Sequence, residues 1–430
     1  MQTKRQFFNL IFRTISRMAT VALAITFLLA LAVMLTQAAQ AQTFQVIHNF
    51  TGGASGGNSF AALTLDRAGN LYGTTCGWDC DGGVFRLSKK GSGWVLNPLY
   101  SFVGGNDGAY PSGKVIFGPD GSLYGSTGAG GGDGCGGYGC GTVFNVKPPA
   151  AACKTALCPW AETTLYRFTE SPDGNYPSGD LVFDQAGNIY GVTNEGGSGG
   201  GCDGGCGAVF KLTFSSGQWT ESILYSFTGG SDGAYPDAGL IFDNLGNLYG
   251  TATAGGAYGN GVVFQLKPSG SGWTDNVLYS FQNGNDGRTP IGGLTFDQSG
   301  NLYGSTYYGG QGGSGTVFEL TPSGDSWILS TLYSFSGPGW GGPADRLVMD
   351  AAGNLYGTTV VAPGDYGNGG VFELTPSSGA WGYTLLHAFN YNNDGASPWG
   401  GVVLDGSGNL YGTTCTGGLF AEGTAWEITP

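Results

Sequence analysis

The chain is 430 residues long, with 85 glycines, 13% aromatic residues, and 30 acids against 16 lysines and arginines, a formal charge of −14. That acidity argues against nucleic acid or anionic lipid as a partner, because both are held by clustered lysine and arginine. The aromatic content argues against a disordered glycine-rich chain, so the glycines read as tight turns of a folded all-β protein.

Lys4, Arg5, Arg13 and Arg17 open the chain, followed by an apolar run from Met18 to Leu35 and then Ala38-Ala39-Gln40-Ala41. A basic start, an apolar stretch and an A-x-A site are the parts of a secretory signal peptide, so residues 1–41 are expected to be removed before Gln42. Retention as an anchor is the alternative, since an 18-residue run can just span a bilayer. Residues 1–41 hold four bases and no acid, so the mature chain would carry 12 bases against 30 acids, a charge of −18. Such self-repulsion suits a soluble monomer that is secreted, periplasmic or on the cell surface, with no membrane segment after cleavage.

Residues 42–430 read as one domain of repeated units. Leu-Tyr-Gly or Ile-Tyr-Gly recurs seven times, with its tyrosine at 72, 124, 190, 249, 303, 356 and 411. The spacings of 52, 66, 59, 54, 53 and 55 residues are too long for a solenoid coil and suit a propeller blade. Each unit offers four strands. In the fourth unit they are Leu240–Phe242, Leu248–Thr253 after an Asn-Leu-Gly-Asn turn, Val262–Leu266 after a glycine-rich loop, and Trp273–Phe281. Glycine in the first turn supplies the left-handed residue of a short hairpin. In six units the last strand has a tryptophan eight residues before a phenylalanine, from Trp94 and Phe102 to Trp381 and Phe389. The seventh copy lies at the other end: Val46-Ile47-His48-Asn49-Phe50 matches Leu386-His387-Ala388-Phe389. The C-terminal Thr424-Ala425-Trp426-Glu427-Ile428 matches only a third strand. The prediction is an all-β, seven-bladed β-propeller with four strands per blade, closed by the N-terminal strand as outer strand of the last blade.

Eight of the nine cysteines fall as close pairs: Cys76 with Cys80, Cys135 with Cys140, Cys153 with Cys158, and Cys202 with Cys206. In an exported chain these point to short-loop disulfides, because the CxxC knuckles of zinc sites are absent. Cys415 remains. It and Cys76 both follow Tyr-Gly-Thr-Thr, so a Cys76–Cys415 pair that leaves Cys80 over is an open alternative. Cys153 and Cys158 lie in an insertion, residues 148–159, that accounts for the 66-residue step.

The unit Asp-x-x-Gly-Asn-Leu-Tyr-Gly-Thr, as at 243–251, 297–305 and 405–413, followed by a glycine-rich loop and Val-Phe-x-Leu, resembles the GloVer tandem repeat of exported bacterial "choice-of-anchor" proteins. The resemblance covers essentially the whole mature chain. It implies export and a repeat fold, and it implies no chemistry. The C-terminal sorting anchors in the family's name are not expected before Pro430.

Loops after the second and fourth strands vary within the chain and share one face, so that face is the expected binding face. Asp107, Asp173, Asp232, Asp286 and Asp394 each begin an Asp-Gly segment there. They read mainly as turn caps; a calcium site is the alternative, and no other cofactor is expected. His48 and His387 stand where other units have tyrosine and read as strand residues. Residues that break the repeat are more informative. Trp78, Trp340 and Trp399 lie in loops of blades one, six and seven, with Asp394 and Phe420 in the same sector. Indole faces beside carboxylates suit the apolar faces and hydroxyls of sugars; packing beneath long loops is the alternative. Lys114, Asp180 and Arg346 replace glycine at the start of first strands, near the channel mouth, where they would pair with each other or contact a ligand. The leading reading is a non-enzymatic recognition or scaffold propeller that binds carbohydrate or a surface protein. The alternatives are a polysaccharide hydrolase or lyase using Asp394 with Asp107 or Asp180, and a structural envelope protein without a ligand. No Gly-x-Ser-x-Gly elbow, His-Glu-x-x-His or phosphate-cradling motif is present.

Overall fold

The computed structural model describes residues 42–430 except 54–55, 77–80, 150–159, 271, 338–340 and 362–366. Residues 1–41, expected from sequence to be a signal peptide, therefore lie outside the described residues, as do Trp78, Trp340, Cys80, Cys153 and Cys158.

The described residues form seven four-stranded sheets, six of them consecutive in sequence from inner to outer strand. Blade 4 is typical: Ile241–Phe242, Leu248–Ala252, Val262–Ser269 and Gly272–Ser280, paired antiparallel throughout. Blade 7 consists of Val403–Leu404, Leu410–Thr414 and Thr424–Thr429, with Thr43–Asn49 as its outer strand. The fold is thus a seven-bladed β-propeller closed by its N-terminal strand.

The Leu-Tyr-Gly repeat follows from packing within and between blades. Gly250 pairs with Phe264 on the third strand, and a Cβ on Gly250 would come 2.6 Å from the Phe264 ring. Only glycine leaves room for that ring, and the same cross-strand pair recurs in every blade, with Trp426 as the ring in blade 7. The tyrosine beside it reaches the next blade. Tyr249 meets Phe296 edge-on at 5.1 Å and Trp327 at 6.4 Å. The phenylalanine ending each outer strand does likewise: Phe227 meets Phe264 at 5.1 Å and Phe281 meets Phe318 at 5.3 Å. Each of seven buried apolar clusters accordingly straddles a seam. Across the last seam, Phe50 meets Phe85 at 5.3 Å and Trp94 meets Tyr411 at 5.9 Å, which closes the ring. Edge-to-face pairs add roughly 0.5–1.5 kcal/mol each beyond the area they bury.

The turn between the first two strands is held by one aspartate. Asp243 accepts from the backbone N–H of Leu245 (2.8 Å) and Asn247 (2.9 Å), the Asn247 side chain (2.7 Å) and the Tyr249 hydroxyl (3.0 Å). Burial would raise its pKa, but these donors hold it below the ordinary carboxylate range. In blade 2 Gly118 stands at that position, and Asp120 takes over by accepting from Ser122.

Disulfides join Cys135 to Cys140 and Cys202 to Cys206. Cys415 is buried, and burial together with the neighbouring Cys76 pushes its thiol up to about 12. Asn58 ties the two positions together: it accepts from the Cys76 N–H (3.3 Å), and its side chain donates to the Cys415 carbonyl (2.7 Å). Among the described residues no helix is long and apolar enough to cross a membrane.

Deleting residues 42–49 should lower the melting temperature sharply, because it uncovers Trp426, which is fully buried, and leaves the Phe50 seam without its strand. A truncated protein that melts like the intact one would refute this closure.

Carboxylates also meet across seams. Glu221 is raised to about 7 by burial and by Asp173, and Asp275 to about 7 by burial and by Asp232. Tyr166 and Tyr225 are the other titrating groups facing them. A carboxyl whose folded pKa lies above its unfolded value stabilises the fold while protonated, and that contribution fades as pH rises from the ordinary carboxylate range to about 7. The melting temperature should therefore fall between mildly acidic and mildly basic buffer, and Glu221→Gln/Asp275→Asn should flatten that fall.

Candidate functional site

On the loop-rich face each Asp-Gly aspartate is used by its own turn. Asp107 accepts from the Tyr100 hydroxyl (2.8 Å) and the Val103 N–H (3.0 Å). Asp173, Asp232 and Asp286 repeat the pattern with Tyr166, Tyr225 and Tyr279. For Asp394, between blades 6 and 7, the partner is His387 on the outer strand of blade 6, whose Nε2 lies 2.9 Å from Asp394, while the Asn390 N–H donates to the other oxygen. Burial lowers the His387 pKa even though Asp394 opposes the shift. Asp394 is itself buried in this turn, and Phe420 stands exposed on the loop between the second and third strands of blade 7.

The first strands converge on the channel, and their starts meet backbone to backbone. The two residues before the leucine or valine of each first strand are mostly glycine or alanine: Ala61-Ala62, Ala238-Gly239, Gly292-Gly293 and Gly400-Gly401. A Cβ at Gly400 would lie 2.5 Å from the Ala61 carbonyl, and one at Gly292 2.7 Å from the Asp345 carbonyl. Small residues are what let seven chain segments meet around one axis.

Four side chains break this ring, and the structure brings them together. A cavity of about 170 Å³ at the channel mouth is lined by segments of all seven blades, including Lys114, Asp180, Asp345, Arg346, Phe60 and Trp399. Lys114 Nζ lies 2.9 Å from Asp180, and the Lys114 N–H donates to the same carboxylate at 3.2 Å, joining blades 2 and 3. Asp345 accepts from the N–H groups of Arg346 and Gly401, both at 2.6 Å, joining blades 6 and 7. The Arg346 Nη2 crosses to the Gly239 carbonyl of blade 4 at 3.2 Å, while its Nε is buried without a hydrogen-bond partner. Burial works against the charge on Asp180, yet Lys114 and Arg346 hold its pKa below the ordinary range. Burial and the Asp180 charge push Asp345 up. Trp399 stacks on Tyr307, with centroids 5.5 Å apart at 20°.

Of the residues singled out from sequence, Lys114, Asp180, Arg346 and Trp399 thus share one cavity, whereas Asp394 and Phe420 do not line it. Asp345 and Phe60 escaped notice. Asp345 had a readable signal, since Ala61, Gly113, Gly179, Ala238, Gly292 and Gly400 hold its position in the other blades. Phe60 had none, because loop length before the first strand varies.

Lys114→Met should destabilise the protein by about 3 kcal/mol, because Asp180 would be left buried without its nearest cation. Lys114→Met/Asp180→Leu should recover most of that loss in chemical denaturation. Additive losses in the two single variants and their double would refute the pairing.

Fold and cavity together define a propeller whose candidate site is the channel mouth of its loop-rich face. The chain belongs to the Gloeobacter/Verrucomicrobia repeat family, whose model matches residues 32–261, 134–358 and 242–430 in three overlapping stretches. No curated protein matches it. Among solved structures it is similar to PorZ, a surface component of the type-IX secretion system of Porphyromonas gingivalis, with 15% identity and a TM-score of 0.50 over 86% of this chain and 46% of PorZ. The chain therefore spans about half the length of PorZ. It is also similar to the polysaccharide lyase Uly1, with 13% identity and a TM-score of 0.47 over 92% and 94% of the two chains. A Mycobacterium tuberculosis puromycin-hydrolysing peptidase matches with 12% identity and a TM-score of 0.47 over 84% of this chain and 50% of the peptidase. At these identities the likeness is one of fold.

Proposed function

We propose that this protein is an exported recognition propeller that binds a glycan at the channel mouth of its loop-rich face. The observation that carries the reading is the meeting of Trp399 and Phe60 with the charged breaks of the glycine ring in one cavity. Indole and phenyl faces take the apolar face of a sugar, and fixed polar groups take its hydroxyls. The charges are largely paired with one another and with backbone, so the cavity offers oriented hydrogen bonds more than net charge. Two short-loop disulfides and a basic-then-apolar N-terminus suit an oxidising compartment outside the cytoplasm.

The opposite displacement of Asp180 and Asp345 favours a second reading, acid–base cleavage of the bound glycan with Asp345 as proton donor. Their oxygens are already engaged by Lys114 and by the N–H groups of Arg346 and Gly401, which favours binding over turnover.

Glycan-array screening followed by calorimetry of the hits separates the readings. Trp399→Ala should weaken binding at least about tenfold, while Phe420→Ala, which lies off the cavity, should not change it. Unchanged binding in Trp399→Ala would refute the site. Release of shortened glycan during incubation would favour the second reading.

A further inference from the structure

Beside the channel mouth lies a second, larger cleft of about 390 Å³, walled by Tyr110, Tyr138 and Tyr176 and sharing Phe60 and Ser112 with the cavity described above. Tyr110, Tyr138 and Tyr176 belong to none of the seven buried apolar clusters. Tyr110 and Tyr176 have left-handed backbones, φ 56° and 55°, in the segment that enters each first strand. The equivalent residues in blades 1, 5 and 7 are Asn58, Thr289 and Ser397, with φ 49°, 56° and 53°, and in blade 4 Tyr235, φ 55°, whose ring packs against the core between blades 3 and 4. The turn therefore accepts small polar residues as readily as tyrosine and does not itself require a ring. Tyr138 is 76% exposed, on the loop closed by the Cys135–Cys140 disulfide, and its carbonyl is fixed by the Gly130 N–H at 2.8 Å. A rigid, short loop thus holds an aromatic ring out into water next to two others.

We propose that this cleft is an aromatic subsite for a neutral oligosaccharide, which continues from it past Phe60 and Ser112 into the channel mouth. This deepens the glycan reading above and rests on it. Three features select the occupant. Tyrosine faces stack on the apolar side of pyranose rings, while the open rim leaves the hydroxyl edge in water or against Ser112. The chain's charge of −14, together with the pairing of Lys114 by Asp180, disfavours an acidic glycan. A purely apolar occupant running on into the channel mouth would strip water from the Lys114–Asp180 pair there without replacing its hydrogen bonds.

The test uses the mature chain with a panel of neutral hexasaccharides (cellohexaose, laminarihexaose, xylohexaose, mannohexaose, maltohexaose and chitohexaose), the corresponding disaccharides, and polygalacturonate. At least one neutral hexasaccharide should bind the wild type. Tyr138→Ala and Tyr110→Ala should each weaken that binding about tenfold and leave the matching disaccharide, held at the channel mouth, unaffected. Tyr138→Phe should retain it, because the stacking ring remains. Trp399→Ala should weaken both lengths. Loss in Trp399→Ala with no change in either tyrosine variant overturns the cleft and leaves the channel-mouth reading standing. No binding of any neutral glycan overturns the reading beneath both, and tighter binding of polygalacturonate overturns the neutral class. Unchanged melting temperatures in the tyrosine variants show that any loss arises at the site.

Discussion

A phenylalanine at the end of each outer strand leans against a ring on the third strand of the next blade, edge-on at six seams and tilted where Phe389 meets Trp426, and the propeller depends on this contact being made at every seam. A four-stranded sheet that is apolar on both faces has no stable existence alone. Six of the contacts join neighbours in sequence, but the seventh, Phe50 on Phe85, joins the N-terminal strand to blade 1. The N-terminal strand therefore completes both a blade and a seam. The cross-strand glycine makes the geometry available, because its missing side chain is the space the facing ring occupies.

The same economy of space shapes the candidate site. Where seven first strands meet, backbone touches backbone and only glycine or alanine fits without displacement. A larger residue there has to be accommodated by its neighbours. Lys114, Asp180, Asp345 and Arg346 are accommodated by joining one another and nearby backbone, so the groups that line the cavity also brace blades 2 to 3, 6 to 7 and 6 to 4. The candidate site and the bracing of the ring thus draw on the same side chains. Among the aromatic rings at the rim, Trp399 is held by stacking on Tyr307, whereas Phe60 and Tyr138 stand exposed.

Carboxylates in this protein fall into two opposed groups. Asp243 in the first turn of blade 4 accepts four hydrogen bonds and is stabilised in the ionised form, as are Asp66, Asp184, Asp350 and Asp405, so their contribution fades in acid. Glu221 and Asp275, half-buried beside other acids, are stabilised in the protonated form. The first group holds turns in several blades and the second lies at particular seams, so one excess of acid serves both to hold the turns and to set a pH limit on the ring.

The sequence by itself determined the blade count, the four-strand unit and the N-terminal closure, because each blade repeats the same packing problem and solves it with the same residues. The short-loop pairs Cys135 with Cys140 and Cys202 with Cys206 were legible for a similar reason: both ends lie within one loop. The breaks in the repeat at Lys114, Asp180, Arg346 and Trp399 were visible as well. Whether those breaks met was not visible, since they come from four blades up to 285 residues apart in sequence. Asp394 belonged to the same sequence sector, yet its carboxylate turned into its own loop. Only the tertiary structure could decide which side chains face the axis, because that depends on how seven segments crowd one another around the channel, a contact that no single repeat contains.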